Sequence, residues 1–530
     1  MDDEPLSSSL TRMESLKIFT LNCWGLRYFS QHRKLRIKLI AQHLSEHDYD
    51  IVFLQEVWIQ SDFEYIRTKT KSIYTFAHMF NNASILGTSG LVIMAKWIPK
   101  IVHFHPYSIN GSPFRPNHGD WFSTKGVAYA RIELKGFNLH LFCTHMHAQY
   151  DEEEDITDQY SIHRICQSYE LAKYINLMSC SCSGPSSKDL IILAGDMNTS
   201  SKELPYRLLV KLTKLSDCYK QGNMGRETTY RKKEPVSKKP NRKFINKNHL
   251  TRLYHCSDDS SDEELITCGH KDNTFTKPSL VLAKSSKRID FILFKLRDIH
   301  TNNDGHDECN NGDVTTRFTL SPSKQLTMLC QPEQMKINAK DVSGLSYSDH
   351  QPVAAKLNFV YYPKSTVEEM ESKNCDLDNN LPDDDEMGFN LNKSQKKQSV
   401  KLKPKYSQQL NRTPSFSNNG NNSVSSLELP DIEILLQNYI NESTPLKHLL
   451  TVVLALFIVV LIVLTIYLAV DLTAIELTLL TIIMLIVSIF GLLLRFVTHR
   501  HEINAIKAIL LDIGKKKLFN TDYGLLEETE

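Results

Sequence analysis

Leu190-Ile-Ile-Leu-Ala-Gly-Asp-Met-Asn198 opens with an apolar run and closes with two polar side chains two residues apart. The run Leu190 to Ala194 reads as a buried strand that stops at Gly195 and delivers Asp196 and Asn198 beyond its end. At that spacing both can face one way. A carboxylate and an amide there suit a water or phosphate oxygen beside a hard cation, which takes oxygen ligands. The same pair would also serve as an Asx turn that merely ends a strand. Matching chemistry at other strand ends favours the site.

Upstream, Leu16 to Leu21 is strand-like and ends at Asn22, before Cys23-Trp-Gly25. Lys34 to Ser45 carries Leu35, Ile37, Ile40, Ala41 and Leu44 near helical spacing. Ile51-Val-Phe-Leu54 is a second buried strand that ends at Gln55-Glu56. Strand, helix, strand with a polar residue at each strand end is an α/β pattern, and such sheets bind ligands outside their strand ends. Glu56, poorly solvated beside Val57 and Trp58, is the first choice for a metal-binding carboxylate.

Gly90 to Ala95 reads as another strand. Val127 to Leu134 and Phe137 to Cys143 form a hairpin around Lys135-Gly136 that runs into Thr144-His-Met-His147. Lys125, just before the hairpin, is a candidate to reach a phosphate. His145 and His147 would share a face if the strand continued. Zinc is conceivable there, but oxygen-rich partners elsewhere favour magnesium and leave one histidine to bind or protonate a phosphate oxygen. Tyr160 to Met178 has helical periodicity. Asp290 lies inside the apolar strand Lys287 to Phe294 and needs a partner, for which His350 in Ser348-Asp-His350 is the natural choice. Asp290 would orient His350 as a general base, and Asp349 would sit next to the metal.

Length allows one large domain with appendages, and the formal net charge of +1 argues against a generally basic nucleic-acid binder. The clearest basic blocks fall in expected insertions and tails, so no nucleic-acid partner is expected. Eleven scattered cysteines without metal-type spacing read as reduced thiols of a cytosol-facing domain. The first 15 residues are acidic, without an apolar core, and read as a disordered N-terminus with no cleaved signal. Residues 231–271 read as a charged, solvated insertion, and 363–446 as a disordered linker. A tether of about 80 residues would reach roughly 50 Å, and its basic run Lys393 to Lys405 is a candidate contact for anionic lipid. Leu449 to Val470 and Leu477 to Leu494 are apolar runs of about the length a bilayer requires. They define an anchor over 447–497 and a tail over 498–530. Lys447, Arg495, Arg500 and Lys507 flank the hairpin, whereas its tip carries Asp471 and Glu476, so the positive-inside rule places both termini in the cytosol.

Leu21-Asn22, Gln55-Glu56, Gly195-Asp-Met-Asn198, Arg288-Ile-Asp290 and Ser348-Asp-His350, in this order, resemble the exonuclease, endonuclease and phosphatase superfamily. Leu21-Asn-Cys-Trp-Gly25, Asn110-Gly-Ser-Pro, His118-Gly-Asp-Trp-Phe-Ser-Thr-Lys125, Thr144-His-Met-His-Ala148 and Arg288-Ile-Asp-Phe-Ile-Leu-Phe-Lys295 narrow the resemblance to its membrane-anchored neutral sphingomyelinases. The resemblance implies a catalytic domain over residues 16–362 with a four-layer α/β sandwich (α+β) of two mixed β-sheets flanked by helices, followed by the transmembrane hairpin. It implies that Glu56 binds Mg²⁺, with Mn²⁺ as substitute and Asn22 close by. Asp196 and Asn198 would hold water and phosphate, His145 would stabilise the phosphate, and His350 would be the base. The expected reaction is hydrolysis of sphingomyelin to ceramide and phosphocholine at a membrane, with the endoplasmic reticulum as the expected one. Trp24, Trp58 and Trp121 are candidates to hold choline by an aromatic face. The alternatives are a lysophospholipase C, an inositol phosphatase or a nuclease of the same superfamily, or an inactive membrane scaffold.

Overall fold

In the first strand, Leu16 and Ile18 join one apolar cluster, while Phe19 and Leu21 join another. The period of two sends alternate residues to opposite faces, and both faces are covered. The run Leu190 to Leu193 behaves the same way: Leu190 and Ile192 enter the first cluster, Ile191 and Leu193 a third. This is why these strands are apolar throughout rather than alternating with polar residues.

A computed structural model of the chain describes residues 14–115, 118–134, 137–150, 160–180, 188–220, 265–277, 286–298, 317–321, 326–335, 337–363, 429–469 and 475–526. One sheet holds β1 (Ser15–Asn22), β2 (Ile51–Gln55), β3 (Phe76–Asn81), β4 (Thr88–Ala95), β11 (Arg317–Ser321), β12 (Leu326–Met335) and β13 (Val353–Pro363), in the order β11-β12-β13-β1-β2-β4-β3. The other holds β5 (Ile101–Pro106), β6 (Gly126–Leu134), β7 (Phe137–His145), β8 (Lys188–Asp196), β9 (Ser216–Asp217) and β10 (Asp290–Asp298), in the order β5-β6-β7-β8-β10-β9. Each is mixed, with one parallel pair, β1 with β2 and β7 with β8. The sheets face each other across Ile18, Phe53, Ile93, Leu141, Ile192, Phe294 and their neighbours. Burying each such side chain is worth about 1.5–3 kcal/mol.

Helices α1 (Arg33–Glu46) and α2 (Gln60–Thr70) cover the first sheet, and α4 (Ser161–Cys180) and α5 (Leu204–Thr213) the second. The short α3 (Asp120–Ser123) precedes β6. The four-layer sandwich is as expected. Its parallel strands end, and their antiparallel neighbours begin, at one edge: β1 at Asn22, β2 at Gln55, β7 at His145, β8 at Asp196, with β10 starting at Asp290 opposite Asp196. Every polar strand end singled out in the sequence therefore reaches the same rim.

The chain departs from expectation at its C-terminal part. Helix α6 (Leu429–Ala469) begins inside the stretch read as linker, and α7 (Ile475–Leu526) continues through the stretch read as tail. Leu449–Tyr467 and a segment within Ile475–Gly514 are long and apolar enough to cross a membrane. Away from their most apolar stretches the helices pack on the domain: Ile432, Leu436, Ile440, Ile503, Ile506 and Ile513 cluster with Ile162, Ile165 and Leu208 of α4 and α5. Asp512 accepts a hydrogen bond from Tyr169 (2.6 Å) and pairs with Lys173 (2.9 Å). On each helix these apolar residues recur at helical spacing, which gives a stripe that can bury against the domain. Helix α4 thus lies between the second sheet and these helices, with apolar residues buried on both sides.

Of the charged insertion, residues 231–264 lie outside the described residues, but 265–271 are ordered and pack beside the rim. Gln351 N donates to Thr267 O (2.7 Å), and Cys268 bridges both Lys287 and His350. The insertion therefore ends sooner than the charge pattern indicates. Residues 1–13, the linker over 364–428 with its basic run, and the hairpin tip over 470–474 also lie outside the described residues.

Candidate active site

At the rim, Asn22 is the link between the sheets. Its Nδ2 donates to Glu56 Oε1 (3.1 Å) on its own sheet and to Asp196 Oδ2 (2.9 Å) on the other. Glu56 has φ 58°, a left-handed backbone that turns its side chain inward after β2. Its carbonyl oxygen would lie 2.1 Å from a Cβ at position 25, so Gly25 is what lets the β1 and β2 loops close together. Asn198, also left-handed at φ 47°, donates its backbone N–H to Asp196 Oδ1 (2.9 Å) and its Nδ2 to Met146 O (2.9 Å). This is the Asx geometry anticipated from sequence, here built into the site rather than replacing it.

On the far side of Asp196, His350 Nδ1 meets Asp290 Oδ2 at 2.8 Å, and His350 Nε2 lies 3.9 Å from Asp196 Oδ2. Burial alone would lower the His350 pKa, but the Asp290 carboxylate overrides it and holds the value well above the ordinary range. Burial, reinforced by repulsion from Asp290, pushes Asp196 up to about 7. Burial pushes Asp349 up to about 6, with His350 opposing the shift and Glu56 adding to it. Both shifts come first from burial, with neighbouring carboxylates adding to it and His350 opposing it.

His145 Nε2 lies 3.5 Å from Asp196 Oδ2, and the Lys125 ammonium approaches the imidazole to 2.8 Å. Burial, then the Lys125 charge, drives the His145 pKa well down, so it is a neutral imidazole. Lys125 is itself buried and paired with buried Asp120 (3.1 Å), which also accepts from Tyr150 OH (2.8 Å). His147 turns to the other side of Asp120 and stacks on Tyr160 (centroids 4.0 Å), with burial pushing its pKa down to about 4. The two histidines therefore divide, and His145 alone meets Asp196.

Two candidate metal positions arise among the described residues. Asp196, Asp290 and His350 place ligand atoms within 4.8 Å of one another. However, His350 Nδ1 is already committed to Asp290, as an orienting pair requires. The second position fits a hard cation better: Glu56 Oε2 is buried without a hydrogen-bond partner among the described residues, facing the Asn22 and Asp349 neighbourhood. An orphaned buried carboxylate oxygen is costly unless a cation or water satisfies it.

The tryptophans are less central. Trp24 donates its backbone N–H to Asn22 Oδ1 (3.0 Å), while its ring lies under the Arg36 guanidinium (4.7 Å) and edge-on to Phe275 (5.2 Å). Trp58 faces the Lys125 ammonium at 5.7 Å. Trp121 packs edge-on to Phe122. Sequence reasoning missed Arg36, which is fully buried and donates to the carbonyls of Cys23 (2.7 Å), Trp24 (2.7 Å) and Tyr347 (3.2 Å). It ties the loop after β1 to the loop that carries His350. It also missed Thr267, whose Oγ1 accepts from Ile289 N (3.0 Å) and Asp290 N (3.2 Å).

One glycine at the rim is open to a direct test. Gly195 has φ 138°, and a Cβ there would lie 2.1 Å from Thr144 O of the neighbouring strand. Gly195→Ala should destabilise the chain by about 2–5 kcal/mol from backbone strain plus overpacking, measured by thermal or denaturant unfolding in detergent. A loss under about 1 kcal/mol would show that the strand end can shift without cost.

A model of the Endonuclease/Exonuclease/phosphatase family matches residues 19–350. The chain is 38% identical over 204 residues to sphingomyelin phosphodiesterase 2 of Homo sapiens, covering 38% of this chain and 46% of that protein. It is 37% identical over 202 residues to a putative neutral sphingomyelinase of Drosophila melanogaster, covering 38% and 43%. It is 28% identical over 291 residues to an inositol phosphosphingolipids phospholipase C of Schizosaccharomyces pombe, covering 53% and 64%. The matched segment spans about half the length of these relatives.

Proposed function

Since this chain belongs to the endonuclease/exonuclease/phosphatase family, we propose that it is a metal-dependent phosphodiesterase of the phospholipase C type that hydrolyses sphingomyelin to ceramide and phosphocholine. The observation that carries the chemistry is the unbroken line Glu56, Asn22, Asp196, His350, Asp290, which crosses from one sheet to the other. Asp290 holds His350 at Nδ1; when the ring is neutral its Nε2 takes a proton from the attacking water, and Asp290 stabilises the imidazolium that results. Asp196 and Asn198 position that water and a phosphate oxygen, and neutral His145 beside Lys125 donates to the phosphate. Glu56, with Asn22 and Asp349 nearby, would hold Mg²⁺, or Mn²⁺ in its place. When bound, the cation supplies charge neutralisation at the phosphate and the departing oxygen.

The choice of lipid rests on the relatives' names and on the two membrane-length helices. The catalytic domain would face the cytosol, on the flanking-charge argument, with the endoplasmic reticulum as its membrane. Trp24 and Trp58 already face protein cations, so Trp121 is the favoured aromatic surface for choline. The likeness to an inositol phosphosphingolipid enzyme supports a second reading, in which the reaction is the same and the headgroup is inositol phosphate. The full-length chain in mixed micelles should release phosphocholine from sphingomyelin with Mg²⁺ and stop with chelator. Cleavage of an inositol phosphosphingolipid or a lysolipid instead would keep the chemistry and overturn the substrate.

A further inference from the structure

Large apolar side chains are exposed in four loops of the catalytic rim. Tyr28 (85% exposed) and Phe29 (79%) follow β1, Ile85 (70%) and Leu86 lie between β3 and β4, Phe114 precedes α3, and Val342 lies in the loop before β13. Strand directions put all four loops at the edge where β1, β2, β7 and β8 end. Exposed basic residues adjoin the aromatics, Arg27 beside Tyr28 and Arg115 beside Phe114. Scattered single apolar residues on a surface need no explanation, but a set gathered on one rim does.

Helix α7 indicates what covers that rim. Through Leu493, Phe496 and Val497 its apolar side chains are exposed, while further on Ile503, Ile506 and Ile513 are buried against the domain and, among the large described ones, only Leu511 turns outward. Near the end of the exposed stretch Arg495 lies over the Phe114 ring at 6.0 Å, and between the two stretches His501 Nε2 donates to Ser108 O (2.8 Å). The loop bearing Phe114 is therefore level with the end of the membrane-length segment. The same loop adjoins the site, because Tyr107 OH bonds Thr144 Oγ1 (2.6 Å) and Gly111 packs against His147.

We propose that the catalytic rim seats on the surface of the bilayer that α6 and α7 cross, with Tyr28, Phe29, Ile85, Leu86, Phe114 and Val342 entering the headgroup region. Aromatic and aliphatic tips bury apolar area at that depth, while Arg27 and Arg115 reach phosphate groups. The docked helices replace a free tether with a fixed stalk that presents the rim to its own membrane. This deepens the substrate reading above by naming where the lipid is met, and its test reads depth rather than turnover.

The test places a benzophenone amino acid singly at 29, 85 and 342, and at Ile98 in the turn at the opposite edge, in the full chain reconstituted into phosphatidylcholine nanodiscs. After irradiation, lipid adducts at the three rim positions should exceed those at 98 by at least about tenfold. Equal adduct yields at all four positions would overturn the docking, whatever the turnover. Strong rim adducts in a chain that releases no headgroup from any lipid would uphold the docking and overturn the substrate reading.

Discussion

His350→Ala should lower turnover by about 10²- to 10⁴-fold, the range expected when a positioned general base is removed. The variant leaves Asp290 buried without its partner, so part of the effect will appear as lost stability. Two measurements separate the contributions. Added imidazole should restore part of the activity of His350→Ala, because the vacated volume lies beside the water to be activated. Asp290→Asn, which retains the shape but removes the charge that raises the His350 pKa, should lower turnover by a smaller factor. Full activity in His350→Ala that folds normally would remove His350 from the reaction and leave the Asp290 pair as structure alone.

Glu56→Gln should weaken divalent metal binding by about 100-fold or more, which removes about 2.7 kcal/mol of metal-dependent stabilisation at saturating metal. The readout is the unfolding midpoint of the full chain in detergent as Mg²⁺ is titrated, independent of turnover. Without metal the variant should be as stable as the parent or more so, because Glu56 is one of the charges that push the neighbouring Asp349 upward. An unchanged metal-dependent shift would move the cation away from Glu56, to Asp196, Asp290 and His350.

The parts of this fold that were legible are those where one sequence signal had one physical cause. A continuous apolar run ending in a carboxylate or amide marks a strand buried on both faces whose end reaches the rim, as at Asn22, Glu56 and Asp196. The Asp290 and His350 pairing could be inferred because a carboxylate in an apolar strand needs a partner. Arg36 was not legible, since an arginine on an amphipathic helix ordinarily points to water, and only the closing of two distant loops over α1 buries it. The pair Asp120 and Lys125 was half legible: the lysine was noticed, but its carboxylate partner was not. Strands β11 and β12 and the packed ends of α6 and α7 escaped because their apolar residues are interrupted by polar ones in the sequence and the partners they pair or pack with are not announced by it.

Strand β1 lies between β2 and β13, so the first strand of the domain is completed by its last. During synthesis β1 and β2 can pair early, but the β13 side of β1 remains an open edge until more than three hundred further residues have been made. His350 emerges just before β13 and Asp290 only sixty residues earlier, so the half of the rim proposed to handle the proton arrives after the half proposed to hold the metal. A ribosome-bound chain lacking β13 would carry Glu56 and Asp196 without a base, next to a strand edge open to wrong partners. The activity proposed above would therefore be timed by topology: it could not precede closure of the sheet, and the two membrane-length helices are synthesised only after that closing strand.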